Sequence, residues 1–314
     1  MATMNALRAH ARGGPETLTY EHADVPVPAA DEVQIEVSAA AITFDELLWD
    51  ETWLRDGNDR TPIIPSHEFA GVISAVGSAV TDLAPGDRVY GMVPFNRDGA
   101  AAQYVVTPAD QVAPAPASLS SIEAAALPLA GLTAWQALTE HAKLQPGETV
   151  LVLGGVGGVG AFATQIAKQL GAEVTVTVKS SGVELARSLG ADHIVDVTAG
   201  DAPTTGVFDV VIDTVGGAAL EQAYSLARRG GRLVTLQMPP SQDKAARAGI
   251  DAVFFVVTAN RAGLATLASL ADTAALRVLV AATFPLAEGR TAYESGHASG
   301  RRPGKTVLTV KEQS

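Results

Sequence analysis

Gly155, Gly157 and Gly160 stand at the spacing G-x-G-x-x-G, inside Val150-Leu151-Val152-Leu153-Gly154-Gly155-Val156-Gly157-Gly158-Val159-Gly160. Glycines so spaced let a chain turn sharply from strand to helix and bring bare backbone against a pyrophosphate. The free N–H groups of the helix N-terminus, over Gly157, Gly158, Val159 and Gly160, then hold the phosphates. The context favours a dinucleotide site over a plain glycine-rich turn. A strand precedes the loop, and an amphipathic helix follows, with Val159, Phe162, Ala163, Ile166, Ala167 and Leu170 at helical spacing. The next strand ends in Thr177-Val178-Lys179-Ser180-Ser181. NAD sites place an acid there, about 20 residues past the glycines, to bond the ribose 2′-OH. No acid stands in this stretch, and Lys179, Ser180 and Ser181 are suited to a 2′-phosphate. The cofactor expected is NADPH.

The elements around this loop change character along the chain. The first third reads as short strands with Gly/Pro turns: Glu32–Val37 with strict alternation, Gly71–Val76, Arg88–Gly91 after the turn Pro85-Gly86-Asp87, and Gln103–Val106. Such a pattern predicts a barrel-like β domain. From Ser120 or Ser121, either of which can cap a helix, strands and helices alternate. Strands are expected at Thr149–Leu153, Val174–Val178, Ile194–Val195, Phe208–Asp213 and Arg232–Leu236, with a helix at Val183–Leu189. That alternation predicts a doubly wound parallel sheet covered by helices. The tail adds a helix near Arg261–Leu270, a strand Val278–Val280, a helix from Leu286 and a strand Thr306–Val310.

Composition narrows the class of protein. The 314 residues, 47% hydrophobic and 18% charged, can bury a large core in one large domain or two ordinary ones. A net charge of −12 argues against nucleic acid or anionic lipid as a partner. With no cysteine, disulfides, thiolate metal sites and a cysteine nucleophile are excluded. The opening residues lack the apolar core of a signal peptide, and no apolar run reaches the roughly 18–20 residues of a membrane span. A cytoplasmic protein is expected, with no membrane partner.

Further stretches carry a resemblance. Ile64-Pro65-Ser66-His67-Glu68-Phe69-Ala70-Gly71-Val72-Ile73 with Val76-Gly77, Ala125–Trp135, the glycine loop with Gln165-Ile166-Ala167-Lys168, Leu189-Gly190-Ala191-Asp192 and Gly304-Lys305-Thr306-Val307-Leu308 occur in order across nearly the whole chain. Together they resemble the medium-chain dehydrogenase/reductase superfamily, in its zinc-free quinone oxidoreductase branch. The resemblance implies an α/β protein with a GroES-like β-barrel-type catalytic domain and a Rossmann domain. Residues 1–122 would begin the catalytic domain, 123–257 would bind NADPH, and 258–314 would return to the catalytic domain. It also implies an active site in the cleft, hydride transfer to a conjugated C=C or a quinone, and a homodimer.

The chain departs from relatives of this superfamily that hold zinc, which carry cysteines near Ile42 and near Pro128-Leu129. No metal is therefore expected, and a site from Asp45, His67 and Glu68 would be unusual. The asparagine near Ile42 and the tyrosine near Leu47 that many relatives carry are also missing. A hydride acceptor must then be polarised by hydrogen bonds and given a proton. Candidates are Asp45, as a proton relay or as the partner of His67; His67, which stands where relatives carry a metal ligand; and Tyr104, as donor or as packing. Thr43, Phe44, Trp49, Trp53 and Phe95 are candidate pocket walls. Trp49 and Trp53 fall four apart, on one face if helical, and serve either a flat substrate or the core. By resemblance, Thr133, Val215, Gly216, Leu236, Phe255 and Val256 would contact the cofactor. The function expected is reduction of a conjugated carbonyl or quinone, with reductive ring closure as a variant. The alternatives are a non-enzymatic NADPH-binding sensor or structural protein, and a zinc alcohol dehydrogenase.

Overall fold

A computed structural model describes residues 2–298 and 300–311, which divide into two compact units. The first holds the chain up to Leu129, with Ala259–Thr273 and Val278 onward; the second holds Ala130–Thr258 and Ala274–Arg277. The sequence boundaries were 122/123 and 257/258. Among the described residues no helix is long and apolar enough to cross a membrane.

The first unit is built on a seven-stranded sheet. Its strands run in the order Val280–Pro285, Lys305–Thr309, Glu32–Ile42, Glu68–Val76, Arg88–Met92 and Val112–Pro114, with Tyr104–Pro108 also paired to Glu32–Ile42. Val33, Ile35 and Val37 alternate into a core with Phe69, Ile73, Val89, Val105 and Val112, as the period-two pattern demands. The strand continues past Val37 to Ile42, because the small residues Ala39, Ala40 and Ala41 fit between Glu68–Ala70 on one side and Val307–Thr309 on the other. The tail strand begins at Val280 rather than Val278, where its parallel partner Lys305 begins. Helix Arg261–Asp272 is tied to this unit through polar groups. Asn260 caps it by accepting from Gly263 N at 2.7 Å, and the buried Tyr90 hydroxyl donates to Leu264 O at 2.5 Å.

The second unit is a six-stranded sheet, parallel throughout. Its order is His193–Asp196, Glu173–Val178, Thr149–Leu153, Phe208–Asp213, Ala227–Thr235, Asp251–Phe254. In chain order this is 3-2-1-4-5-6, the Rossmann arrangement, with the topological switch beside the strand that leads into the glycine loop. Upstream of the sheet, Ser120 is the helix cap, accepting from Glu123 N at 3.3 Å while Glu123 reaches back to Ser120 N at 3.0 Å. Ala274–Arg277 joins this unit because Gln165 bonds both the N–H and the C=O of Arg277.

Candidate functional site

The glycine loop occupies residues 154–159, between strand Thr149–Leu153 and helix Gly160–Gln169. Glycine is required at two of its positions by close approach. A Cβ on Gly155 would lie 2.4 Å from Val176 Cβ, and one on Gly160 would lie 2.0 Å from Gly154 O. Gly157 and Gly158 are exposed, but the Gly157 N–H, expected to be free for a phosphate, turns inward and donates to Gly154 O at 2.9 Å, closing the turn. The Thr164 hydroxyl fastens the loop to the helix, donating to Gly155 O at 3.0 Å and Gly160 O at 2.9 Å. This cradle fits a dinucleotide pyrophosphate.

Two carboxylates that sequence reasoning did not place shape the rim. Asp213, fully buried at the end of its strand, accepts from Val215 N at 3.0 Å, Gly216 N at 2.9 Å and the Thr235 hydroxyl at 3.0 Å. It fixes the loop carrying Val215 and Gly216. Asp196 ends the strand next to Glu173–Val178, and its Oδ2 accepts the Ser180 hydroxyl at 2.5 Å. No acid stands in Thr177–Ser181 itself, as the sequence shows. The acid comes from the third strand, brought alongside by the pairing of Val178 with Asp196. Lys179 is exposed and makes no ion pair among the described residues. Ser181 continues the turn Ser180–Gly182. Thr133 is buried in helix Pro128–Gln136, Leu236 donates its N–H to Asp213 O, and Phe255 stacks on His141 at 4.1 Å. Val256 is exposed.

In the first unit a buried polar group surrounds His67. The acid beside it is Glu46, not Asp45: Glu46 Oε2 lies 3.6 Å from His67 Nε2, while Asp45 is exposed on the surface of the 3-10 turn Phe44–Leu48. The 3-10 turn buries Glu46 and leaves Asp45 outside, so the partner that the resemblance assigned to His67 is the neighbouring acid. Glu46 Oε1 accepts the Tyr293 hydroxyl at 2.5 Å and Thr43 N at 3.3 Å, and Oε2 accepts Ser66 N at 3.0 Å. Burial lifts its carboxyl to about 7, against the pull of these donors, and pushes the Tyr293 phenol well above its usual range. Burial depresses His67 to about 3, and neither ring nitrogen has a hydrogen-bond partner among the described residues. The imidazole is therefore neutral at physiological pH.

Aromatic rings continue from His67. Phe95 meets it edge to face at 5.2 Å, and Trp49 meets Phe95 the same way at 5.4 Å. Trp53 is not part of this wall. The segment breaks at Trp49, which is extended at ψ 135°, before the short helix Asp50–Trp53, so the two tryptophans share no helix face. Trp53 is 1% exposed, donates its indole N–H to Leu47 O at 2.9 Å and belongs to the core. Tyr104 is also set aside as a donor at this site, since it packs against the same hydrophobic cluster from strand Tyr104–Pro108. Phe44 lies under the Arg301 guanidinium at 4.6 Å, and Thr43 Oγ1 accepts Lys305 Nζ at 3.1 Å.

Glu68, buried next to His67 in sequence, pairs through Oε1 with Lys305 Nζ at 2.7 Å and accepts Leu129 N at Oε2. Burial raises its carboxyl, and the Lys305 ammonium pulls it back. A divalent metal does not fit this donor set. Thiolates are lacking, both Glu46 oxygens are bonded, and an ammonium already neutralises Glu68. Among the described residues no three His, Asp or Glu side chains converge as ligands.

The Glu46–His67 pair makes stability depend on pH in two opposed ways. Glu46, raised to about 7, stabilises the fold fully below its unfolded value and loses that contribution as pH rises through 7. His67, depressed to about 3, contributes above its unfolded value and loses it as pH falls toward 3. Glu46→Gln keeps the acceptor for Tyr293 and removes the first of these effects. Urea unfolding between pH 5 and 8.5 should show wild type losing on the order of 3 kcal/mol relative to the variant as pH rises. A gap that stays constant with pH would show that Glu46 is not protonated in the folded chain.

Comparison with known proteins agrees with both halves. Residues 29–117 match the alcohol dehydrogenase GroES-like domain model, and residues 189–308 match the zinc-binding dehydrogenase model. The chain is 33% identical over 299 residues to 2-methylene-furan-3-one reductase of Solanum lycopersicum, covering 90% of this chain and 73% of that protein. It is 32% identical over 286 residues to mitochondrial NAD(P)H oxidoreductase RTN4IP1 of Danio rerio, covering 80% and 73%. The solved structure of the quinone oxidoreductase from Coxiella burnetii superposes with a TM-score of 0.88 at 28% identity, covering 99% of this chain and 100% of that one. These relatives decide between enzyme and sensor in favour of the enzyme. The glycine loop, the 3-2-1-4-5-6 sheet and the returning C-terminal strand thus have one common explanation: the chain belongs to the medium-chain dehydrogenase/reductase superfamily and is a nicotinamide-dependent oxidoreductase within it.

Proposed function

We propose that the chain is a zinc-independent NADPH reductase of a conjugated carbonyl or a quinone. The observation that carries the reading is the polar group at His67. It offers a neutral imidazole beside aromatic rings, with Lys305 committed to Glu68, where a zinc site needs free anionic ligands. The names of two relatives, a 2-methylene-furan-3-one reductase and a quinone oxidoreductase, support conjugated acceptors. When bound, the nicotinamide supplies a hydride to the β-carbon or quinone ring. Gly158, Val159 and Gly160 present backbone N–H groups to its pyrophosphate, while the Gly157 N–H is held by Gly154 O, and Lys179 takes the 2′-phosphate. Thr133, Val215, Gly216 and the backbone at Leu236, Phe255 and Val256 position its nicotinamide half. Trp49, Phe95, Phe44 and Thr43 form walls for a flat substrate. His67 donates a hydrogen bond to the developing oxyanion, with Glu46 behind it as the group that holds a proton near neutral pH.

The test is decay of NADPH absorbance with a panel of enones and quinones, with and without a chelator. Turnover that chelator leaves unchanged is the expected result; binding of NADPH with no turnover on any acceptor would sink the proposal. Trp49→Ala should raise KM roughly tenfold with kcat little changed, because a stacking wall is lost. Nuclear magnetic resonance of the product separates simple reduction from reduction with ring closure. The reading includes a cytoplasmic homodimer, checked by light scattering at twice the chain mass.

A further inference from the structure

Asp196 stands at a place that decides how the adenosine ribose is read. In a Rossmann sheet the ribose 2′-position lies past the end of the second strand, about 20 residues after the glycine loop. That strand ends at Val178, so Lys179 and Ser180 are the first residues beyond it. The third strand runs parallel and pairs Val178 with Asp196, which carries the Asp196 carboxylate to the same edge.

The hydrogen bonds at this edge converge on Asp196, whose carboxylate can only accept. Asp196 Oδ1 accepts the Thr198 hydroxyl at 2.7 Å, Thr198 N at 3.0 Å and Ala199 N at 3.3 Å. The Thr198 hydroxyl has thus spent its proton on Asp196, and Thr198 Oγ1 in turn accepts Ser180 N at 3.0 Å. The Ser180 hydroxyl donates to Asp196 Oδ2 at 2.5 Å, with Thr198 Oγ1 at 2.7 Å beside it. These donors also hold the Asp196 carboxyl below its usual range, so it is ionised. A serine hydroxyl has one proton, and here it points inward. What Ser180 presents outward is a lone pair.

We infer that Asp196 is a specificity-determining residue, which turns Ser180 into an acceptor for a free ribose 2′-OH and so offsets the pull of Lys179 on a 2′-phosphate. Lys179 is an exposed ammonium with no ion pair among the described residues, and it favours the phosphate. Asp196 adds a negative charge one hydrogen bond away, and Ser180 meets phosphate oxygens with a lone pair rather than a proton. NADH finds the opposite balance, since its 2′-OH is a donor. The chain therefore binds both nucleotides, with a preference for NADPH smaller than Lys179 alone would give. This rests on the reading that the 2′-phosphate of NADPH lies at Lys179.

The experiment is titration of the full chain with NADPH and with NADH, followed by nucleotide fluorescence, for wild type, Asp196→Asn, Ser180→Ala and Lys179→Ala. In Asp196→Asn the amide can donate to Ser180 Oγ and free the serine proton to point outward. The ratio Kd(NADH)/Kd(NADPH) should rise roughly three- to tenfold, mainly through tighter NADPH binding. Ser180→Ala leaves the Asp196–Thr198 bonds in place and should weaken NADH more than NADPH. An unchanged or lower ratio in Asp196→Asn, or equal loss of both nucleotides, overturns the inference. Should Asp196→Asn fail to fold, an equal effect of Ser180→Ala on the two nucleotides overturns it alone. Lys179→Ala tests the underlying reading separately, since equal loss of both nucleotides there shows that the phosphate is not held by Lys179.

Discussion

Gly160→Val should weaken NADPH binding roughly 100-fold, because its side chain has no room against the loop it closes. A Cβ at this position would stand 2.0 Å from Gly154 O and 2.9 Å from Gly154 C, both backbone atoms that no rotamer change can move. The loop must shift or the helix must start later. Either change displaces the N–H groups of Gly158 and Val159 from the phosphates they would hold. The rest of the sheet has no reason to follow, so unfolding should remain cooperative and circular dichroism native-like. Gly157→Ala is the graded control. Its Cβ would lie 3.2 Å from Gly154 O, a conflict that a few tenths of an ångström relieve. Fluorescence titration should therefore rank the variants wild type, Gly157→Ala, Gly160→Val. An unchanged Kd in Gly160→Val would mean that this loop does not carry the pyrophosphate.

The second large effect concerns stability. Lys305→Met should cost about 3–5 kcal/mol, the range for removing one partner of a buried ion pair. Glu68 would lose the ammonium 2.7 Å from its Oε1, keeping only the N–H of Leu129 on its other oxygen, and Thr43 Oγ1 would lose its donor. A buried carboxylate without its counter-ion must stay ionised at high cost or take up a proton. Its pKa in the folded state would rise further above the unfolded value. Stability that is present at low pH is then lost as pH rises, so the deficit should be larger at pH 8 than at pH 5. Adding Glu68→Gln to Lys305→Met should recover much of the loss, and a double-mutant cycle in urea measures the coupling. Additive effects of the two substitutions would show that the pair contributes nothing as a pair.

The two predictions draw on different kinds of legibility. The glycine loop was readable because its constraints are local: residues 149 to 170 dictate strand, turn and helix by their own periodicity, and a glycine is needed wherever backbone meets backbone. The alternation Val33, Ile35, Val37 and a helix cap at Ser120 or Ser121 were readable for the same reason, and the structure uses Ser120. The Lys305–Glu68 pair was not, although both residues lie in stretches that carried the resemblance. Nothing in a one-dimensional pattern says that a lysine and a glutamate 237 positions apart will be buried together; the antiparallel register of Thr306 on Ile42 and of Ala41 on Glu68 does that.

Where the sequence reading went astray, a side chain's direction was at stake. Asp45 and Glu46 are adjacent acids, and the turn Phe44–Leu48 buries the second one beside His67 and Tyr293 while the first stays exposed. Trp49 and Trp53 are spaced for one helix face, but the break at Trp49 left one against Phe95 and sent the other into the core. Asp196 is distant in sequence from the glycine loop and reaches Ser180 only through the pairing of two strands. The sequence by itself determined the class of fold, the glycine turn between strand and helix and the lack of thiolate ligands, since each depends on residue type and short-range spacing. Tertiary structure alone decided which acids are buried, which protons are spent and which rings face one another, because those depend on strand register and turn geometry across distances that local periodicity does not encode.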